Sequence, residues 1–162
     1  MVLFKRIVVA VDFSDFSQEA LRISAGLARA CGEEVLVLHV CNAPKALDPT
    51  LMAAQGRAIR SLIELQKEMA KLAEKKLDDW IGHYEWGEAK IDREVLTGSS
   101  YKQIAKRARE YEADLIVMGS YGRSGFARML IGSTTEKVLR KAGCPVMAVT
   151  IPAVEAKKPE GS

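Results

Sequence analysis

The feature that most limits the possible folds of this chain is an alternation of short β-branched apolar runs with longer amphipathic segments. The apolar runs have few polar interruptions, which is typical of strands covered on both faces of a sheet. Strands separated by helices favour parallel pairing through right-handed crossovers. The sequence therefore predicts an α/β fold with one open five-stranded sheet, whose strands are Phe4–Val11, Glu34–Cys41, Ile91–Leu96, Asp114–Met118 and Val146–Val149.

Four helices are predicted between these strands. The first begins near Ser14 and ends at Gly32, and the second runs from about Leu51 to Tyr84 after a loop. Capping boxes of Ser100 with Gln103 and of Ser133 with Glu136 predict the starts of the third and fourth. The long second helix carries a stripe at helical spacing that we expect to face the core: Ile59, Leu62, Ile63, Met69, Ala70, Ala73, Leu77 and Trp80.

Leu65 and Leu72 lie beside that stripe. They either widen the core face or contact a partner, and the usual burial of leucine favours the core.

Length and composition limit the class of protein. The 162 residues suit one domain, expected over residues 1–151, with a mobile tail over residues 152–162. The formal net charge of +3 comes from interspersed acids and bases, which gives no reason to expect nucleic acid as a partner. No signal-peptide pattern or membrane-length apolar run is present, and three cysteines without a C-x-x-C pair suit a reducing compartment. We therefore expect a cytoplasmic protein without membrane contact.

Two predicted strand ends carry unusual residues. Asp12 follows the first strand, and a glycine-rich stretch from Gly119 to Gly132 follows the fourth. In open α/β sheets, ligands bind beyond the carboxyl ends of the strands, where the strand order reverses. The stretch reads G-x2-G-x9-G-S, and its last glycine stands at the start of a helix, where free N–H groups and the helix dipole favour a phosphate.

Structural explanations of the same residues stay open. Gly119 and Gly122 also suit turns, and Ser133 also suits a helix cap. Asp12 has three candidate roles: it caps the next turn, contacts a ribose or base, or contacts a metal ion held by phosphate. The placement of the glycines between a buried strand and a capped helix favours anion binding over a purely structural role.

Other ligand and catalytic motifs are absent from the sequence. There is no G-x-x-x-x-G-K-[ST] phosphate loop, and the first strand–helix turn lacks G-x-G-x-x-G. His39 and His83 stand near no nucleophile motif and are interpreted as core or surface histidines. No cluster has the ligand spacing of a metal site, so no metal bound directly by the protein is expected.

Five segments together resemble the universal stress protein family. They are Arg6–Ser14 (RIVVAVDFS), Leu38–Val40 (LHV), Val117–Gly125 (VMGSYGRSG), Ile131–Arg140 (IGSTTEKVLR) and Cys144–Val149 (CPVMAV). The likeness extends over about Phe4 to Ile151, and G-x2-G-x9-G-[ST] marks the ATP-binding branch of that family. Tyr121 departs from the histidine that many members carry at this place.

This resemblance implies a strand order of 3-2-1-4-5 with helices on both faces, and a homodimer joined through the last strand, Val146–Val149. It implies ATP as the ligand, with Asp12 as the candidate contact of a phosphate-bound Mg²⁺. The implied ATP-binding residues are Ala10, Val11, Asp12, Val40, Met118, Gly119, Gly122, Arg123, Ser124, Gly125, Gly132, Ser133 and Thr134.

Three functions are compatible with these features. The first is a regulatory dimer in a stress response, in which bound ATP sets the surface offered to an unidentified protein partner. The second is a slow ATPase or phosphotransferase, against which stands the absence of an evident general base near the glycine motif. The third is a nucleotide-free dimeric interaction protein, against which stands the intact motif. The sequence thus favours a binding protein that is not an enzyme.

Overall fold

The computed structural model describes residues 4–42, 56–121 and 131–151. Its five strands form one parallel sheet in the order β3-β2-β1-β4-β5, which confirms the predicted architecture and strand order. The second and the last strands have the predicted bounds, and the ends of the other three shift by one or two residues. The strands are β1 Arg6–Ala10, β2 Glu34–Cys41, β3 Lys90–Thr97, β4 Leu115–Gly119 and β5 Val146–Val149.

Helices cover both faces of the sheet. The helices are α1 Asp15–Cys31, α2 Gly56–Ile81, α3 Ser100–Glu110 and α4 Ser133–Lys141. Ile7 and Val9 of β1 pack in one core cluster with α1 and α2, whereas Val8 and Ala10 pack in a second cluster with α3 and α4. Alternate side chains of a strand point to opposite faces, so β1, which is buried from Ile7 to Ala10, supplies both cores.

The position of β1 explains where a ligand can enter. This strand is central and pairs with β2 on one side and β4 on the other, with Ala10 opposite both Leu38 and Met118. The chain moves outward to β2 and β3 on one side and later to β4 and β5 on the other. The carboxyl ends of β1 and β4 therefore flank the point at which the strand order reverses.

The predicted core stripe of α2 is correct only toward the end of the helix. Ala73 and Leu77 are buried, but Ile63 is 47% exposed and Met69 53% exposed, so their assignment to the core is wrong. The core assignment of Leu65 and Leu72 is also wrong, because these side chains are 56% and 65% exposed. Helical spacing identifies a side of a helix but not how far along the helix the sheet reaches.

Two predicted helix caps are each displaced by one residue. Ser99 is the N-cap of α3 and Gly132 that of α4, so Ser100 and Ser133 are the first helical residues, and neither cap residue makes a side-chain capping bond. For α1, the N-cap is Ser14, whose Oγ accepts a hydrogen bond from the Ser17 N–H. The predicted start of α2 at residues 51–55, most of the loop before it and the tail over residues 152–162 lie outside the described residues.

Membrane spans, metal-ligand clusters and cysteines were also considered in the sequence, and the structure bears on each of them. Among the described residues, no helix has the length and apolarity to cross a membrane, and no group of His, Cys, Asp and Glu is arranged to hold a metal ion. The three cysteines, Cys31, Cys41 and Cys144, all lie in the described residues and form no disulfide there. Burial raises the pKa of the Cys144 thiol, which favours its protonated and less nucleophilic form.

Candidate functional site

A cavity of about 510 Å³ lies at the carboxyl ends of the central strands. Its walls come from the ends of β1, β2 and β4, from the first residues of α3, and from the N-terminus of α4. This is the position predicted for a ligand, at the reversal of strand order. Its size is within the range of small-molecule and cofactor sites.

Nine of the thirteen candidate residues line this cavity together: Ala10, Val11, Asp12, Val40, Met118, Gly119, Gly132, Ser133 and Thr134. They come from four elements that are far apart in sequence. The other four, Gly122, Arg123, Ser124 and Gly125, lie outside the described residues.

Asp12 fixes the turn between β1 and α1. Its Oδ1 accepts hydrogen bonds from the Ser14 N–H at 3.0 Å and from the Ser14 hydroxyl at 2.5 Å. The Ser14 Oγ in turn accepts from the Ser17 N–H at 3.2 Å. The carboxylate therefore has the structural role considered for it while it also lines the cavity, so the cap and ligand roles are not exclusive.

The other end of the cavity is the N-terminus of α4, which two hydrogen bonds hold against the end of β4. The Gly132 N–H donates to the Ser120 carbonyl at 2.7 Å, and the Thr135 hydroxyl donates to the Gly119 carbonyl at 2.9 Å. Gly132 supplies no side-chain cap for the first-turn N–H groups of Ser133 and Thr134. Uncapped N–H groups and the positive end of the helix dipole favour an anion at this place.

Gly119 and Gly132, at this end of the cavity, are suited to their positions for different structural reasons. A Cβ on Gly119 would lie 2.7 Å from the Phe16 Cβ, so close packing against α1 is sufficient to require glycine there. Gly132 has φ −65° and ψ 152°, angles that any residue adopts, so its backbone conformation does not require glycine. A small residue at Gly132 leaves the backbone at the entrance of α4 accessible from the cavity.

Apolar side chains line the part of the cavity near the strand ends. Ala10, Leu38 and Met118 stand side by side on three adjacent strands, and Val40 lies farther along β2. Ile104 of α3 is buried against the same core cluster and also lines the cavity. An apolar compartment beside an anion-binding helix end suits a ligand with an aromatic ring and a phosphate group.

His39 is a satisfied core histidine, as expected, but it also lines the cavity. It is buried, and its Nδ1 lies 2.7 Å from the Val11 carbonyl oxygen, which makes Nδ1 the protonated nitrogen in that hydrogen bond. The Phe13 ring packs on it with 4.6 Å between ring centroids. His83 lies on the exposed surface and not in the cavity.

The lining includes residues that the sequence analysis did not identify as ligand contacts. Asn42 and Ser100 follow β2 and β3 and lie together, with 3.4 Å between the Ser100 Oγ and the Asn42 Oδ1. The same strand-end argument that identified Asp12 identifies these two. Met69 has no such signal, since it reaches the cavity from the middle of α2.

Comparison with known proteins gives a family relationship over nearly the whole chain. The sequence model of the universal stress protein family matches residues 3–150. Universal stress protein MJ0531 of Methanocaldococcus jannaschii is 36% identical over 153 residues, which cover 94% of this chain and 86% of that protein. The solved structure of MJ0577 from the same organism superposes with a TM-score of 0.77 at 26% identity, covering 94% of this chain and 99% of the other.

Two other solved structures of this fold contain nucleotides. A universal stress protein from Archaeoglobus fulgidus in complex with dAMP has a TM-score of 0.54 at 24% identity, covering 93% of this chain and 100% of the other. A universal stress protein in complex with cAMP has a TM-score of 0.60 at 21% identity, covering 92% of this chain and 98% of the other.

Proposed function

The chain belongs to the universal stress protein family, and from that premise we propose that it binds ATP in the cavity at the ends of β1 and β4. It acts in the cytoplasm as a nucleotide-dependent regulatory dimer in a stress response. Occupancy of the site sets the surface that the dimer presents to a protein partner.

The observation that carries this proposal is the meeting of two unlike surfaces in one cavity. One is the apolar compartment of Ala10, Val40 and Met118, which suits the base. The other is the uncapped N-terminus of α4 at Ser133 and Thr134, which suits phosphate. The Asp12 carboxylate belongs to the same lining and would contact a Mg²⁺ ion held by the phosphates.

The choice of an adenine nucleotide rests on two further supports. Two proteins of this fold are found with dAMP and cAMP, both of which contain adenine. The G-x2-G-x9-G-S motif supplies a second run of small residues before α4, which suits a chain of phosphates longer than the single phosphate of those ligands.

Binding without rapid turnover is the second part of the proposal. The two ionisable side chains Asp12 and His39 have structural roles in the lining, because the Asp12 Oδ1 accepts two hydrogen bonds from Ser14 and the His39 Nδ1 donates to the Val11 carbonyl. Rapid phosphoryl transfer needs a group that positions the nucleophile in addition to groups that hold the phosphates. We therefore propose a regulatory site and expect ATP hydrolysis to be far slower than in typical enzymes.

Calorimetric titration with ATP tests the site. Wild-type protein is expected to bind one ATP per chain in the micromolar range. Valine at Gly132 fits the local backbone angles but places a branched side chain at the entrance of α4, so Gly132→Val should weaken binding at least about tenfold, or ~1.4 kcal/mol.

The matched control is Gly143→Val. No atom lies within 4 Å of a Cβ added at Gly143, and this glycine does not line the cavity. Its ATP affinity should equal that of the wild type. Unchanged affinity in a folded Gly132→Val variant would refute the phosphate position.

A further inference from the structure

An apolar row runs along the solvent side of α2. We define the α2 row as Leu62, Leu65, Met69 and Leu72, which are separated by three, four and three residues. Its last three members are 56%, 53% and 65% exposed. A spacing that alternates three and four residues is the pattern by which one helix packs along another.

The α2 row is distinct from the face that attaches the helix to the sheet. Ala73 and Leu77 are buried, and Trp80 packs against the same core cluster. Leu65 and Leu72 point away from that core. A contiguous row of large, exposed apolar side chains indicates an interaction surface, unlike a single exposed side chain such as Leu139 on α4.

The charges beside the α2 row indicate what covers it. Along its flank, at the same alternating spacing, come Glu64 and Glu68 and then Lys71 and Lys75. The acidic half and the basic half meet next to Met69. Within one chain, the Lys71 Nζ lies 3.3 Å from the Glu68 Oε1. This flank is complementary in charge to the same flank of a second copy that runs antiparallel. The acidic half of each helix then lies opposite the basic half of the other. A partner of one charge sign would match only half of the flank.

We propose that α2 pairs antiparallel with α2 of a second copy of this chain, through the α2 row and about a two-fold axis near Met69. An antiparallel pair of identical helices has the symmetry of a closed dimer, in which the same patch on each copy meets itself. The pairing removes three largely exposed apolar side chains per chain from water. It also sets opposite charges against each other at both ends of the contact.

This surface lies away from the edge strand β5. Helix α2 packs over β2 and β3, whereas β5 is at the opposite edge of the sheet. Contact through α2 and contact through β5 can therefore occur in the same assembly. The α2 pairing needs no nucleotide, but it adjoins the proposed ATP site, because Met69 belongs both to the α2 row and to the lining of the cavity.

The first experiment measures the mass of the full-length protein by sedimentation velocity over a range of micromolar concentrations. The double variant Leu65→Gln, Leu72→Gln keeps good helix formers on α2 but makes the row polar. It is expected to halve the mass of the wild-type assembly. The control Leu139→Gln changes an exposed leucine outside the row and should leave the mass unchanged. Equal mass for the double variant and the wild type would overturn the proposal and assign the row to another occupant, such as another part of the same chain.

The second experiment tests the antiparallel orientation. The variant Glu64→Lys, Glu68→Lys should repel itself and lose the pairing. The four-fold variant Glu64→Lys, Glu68→Lys, Lys71→Glu, Lys75→Glu reverses every charge, so it should pair with itself as the wild type does but not with the wild type. Both chains carry Ala148→Pro in this experiment, so that pairing through β5 is blocked. Mixed pairs of chains with the wild-type and the reversed α2 charges, detected with mass-tagged chains in native mass spectrometry, would contradict the antiparallel arrangement.

Discussion

At the scale of a residue, Phe13 has the least expected conformation in the site. It follows Asp12 directly and has φ +63°, in the left-handed region that bulky side chains rarely occupy. Its ring is held by three neighbours: His39, Trp80 at 5.3 Å between centroids, and the Lys76 Nζ at 4.6 Å from the ring centre. These contacts offset the cost of the backbone angle and keep the turn at Asp12 in place.

At position 13, a glycine variant should therefore be more stable than an alanine variant, which is the reverse of the usual order. Both Phe13→Ala and Phe13→Gly lose the ring contacts, but only alanine keeps the steric penalty of a positive φ. The glycine variant should be more stable than the alanine variant by about 1 kcal/mol in urea unfolding. An alanine variant as stable as the glycine variant would show that the turn does not hold this angle.

At the scale of an element, the placement of α4 depends on Thr135. This residue is buried, and its hydroxyl donates to the Gly119 carbonyl at 2.9 Å, which fixes the start of the helix to the end of β4. The N-terminus that we propose for phosphate binding is positioned by this bond and by the bond from the Gly132 N–H to the Ser120 carbonyl.

Replacing Thr135 with valine keeps the shape but leaves the Gly119 carbonyl without this donor. Thr135→Val should lower the free energy of unfolding by about 1–3 kcal/mol, the cost of an unsatisfied buried acceptor. Thr97→Val, on an exposed strand position, is the matched control and should change it little. The measurement is urea denaturation followed by circular dichroism, and equal stability of the two variants would contradict the anchoring role.

The elements differ in how far the sequence determines them. The strands β2 and β5 could be predicted to the residue, because each apolar run is bounded by residues that suit turns and leaves few alternatives. The caps of α3 and α4 were displaced by one residue because Ser99 and Ser100, like Gly132 and Ser133, both suit a helix start. The exposure of Met69 depends on where α2 passes the edge of the sheet, which is a tertiary property that no local pattern contains.

For the candidate site, the positions of several residues were predictable, but the contacts that explain them were not. Asp12 after β1 and Ser133 at the start of α4 were found because the topology brings strand ends and the starts of helices together at one edge of the sheet. The reasons for the glycines were not predictable: the contact of Gly119 with Phe16 depends on how closely α1 approaches β4. The positive φ of Phe13 is likewise invisible in a sequence, since the ring contacts that allow it come from β2 and α2.

At the scale of the whole molecule, β5 is an edge strand, and we propose that a second copy pairs along it. The Pro145 and Val149 carbonyls accept hydrogen bonds from Ile116 and Ser120, so these residues turn toward β4. In a parallel strand the alternate residues, Val146 and Ala148, turn their backbone groups toward the open edge. An open edge of this kind is a template for pairing with another chain.

Proline at Ala148 should block that edge without breaking the pairing with β4, because the N–H that it removes points outward. In the Leu65→Gln, Leu72→Gln background, where α2 pairing is removed, Ala148→Pro should convert a dimer to a monomer in sedimentation velocity. Ala148→Val keeps the N–H and should remain dimeric. A background variant that is already monomeric at micromolar concentration would refute dimerisation through β5.

The central claim is that ATP occupies the cavity between β1 and α4, and the most direct test is a titration followed by the backbone amide signals of ¹⁵N-labelled protein. The account predicts that ATP shifts the signals of Val11, Asp12 and Val40 at the strand ends and of Ser133 and Thr134 at the start of α4. Signals of α2 residues far from the cavity, such as Asp78, should stay in place. The claim would be contradicted if saturating ATP left the Ser133 and Thr134 signals unmoved, or if the shifts were confined to another surface.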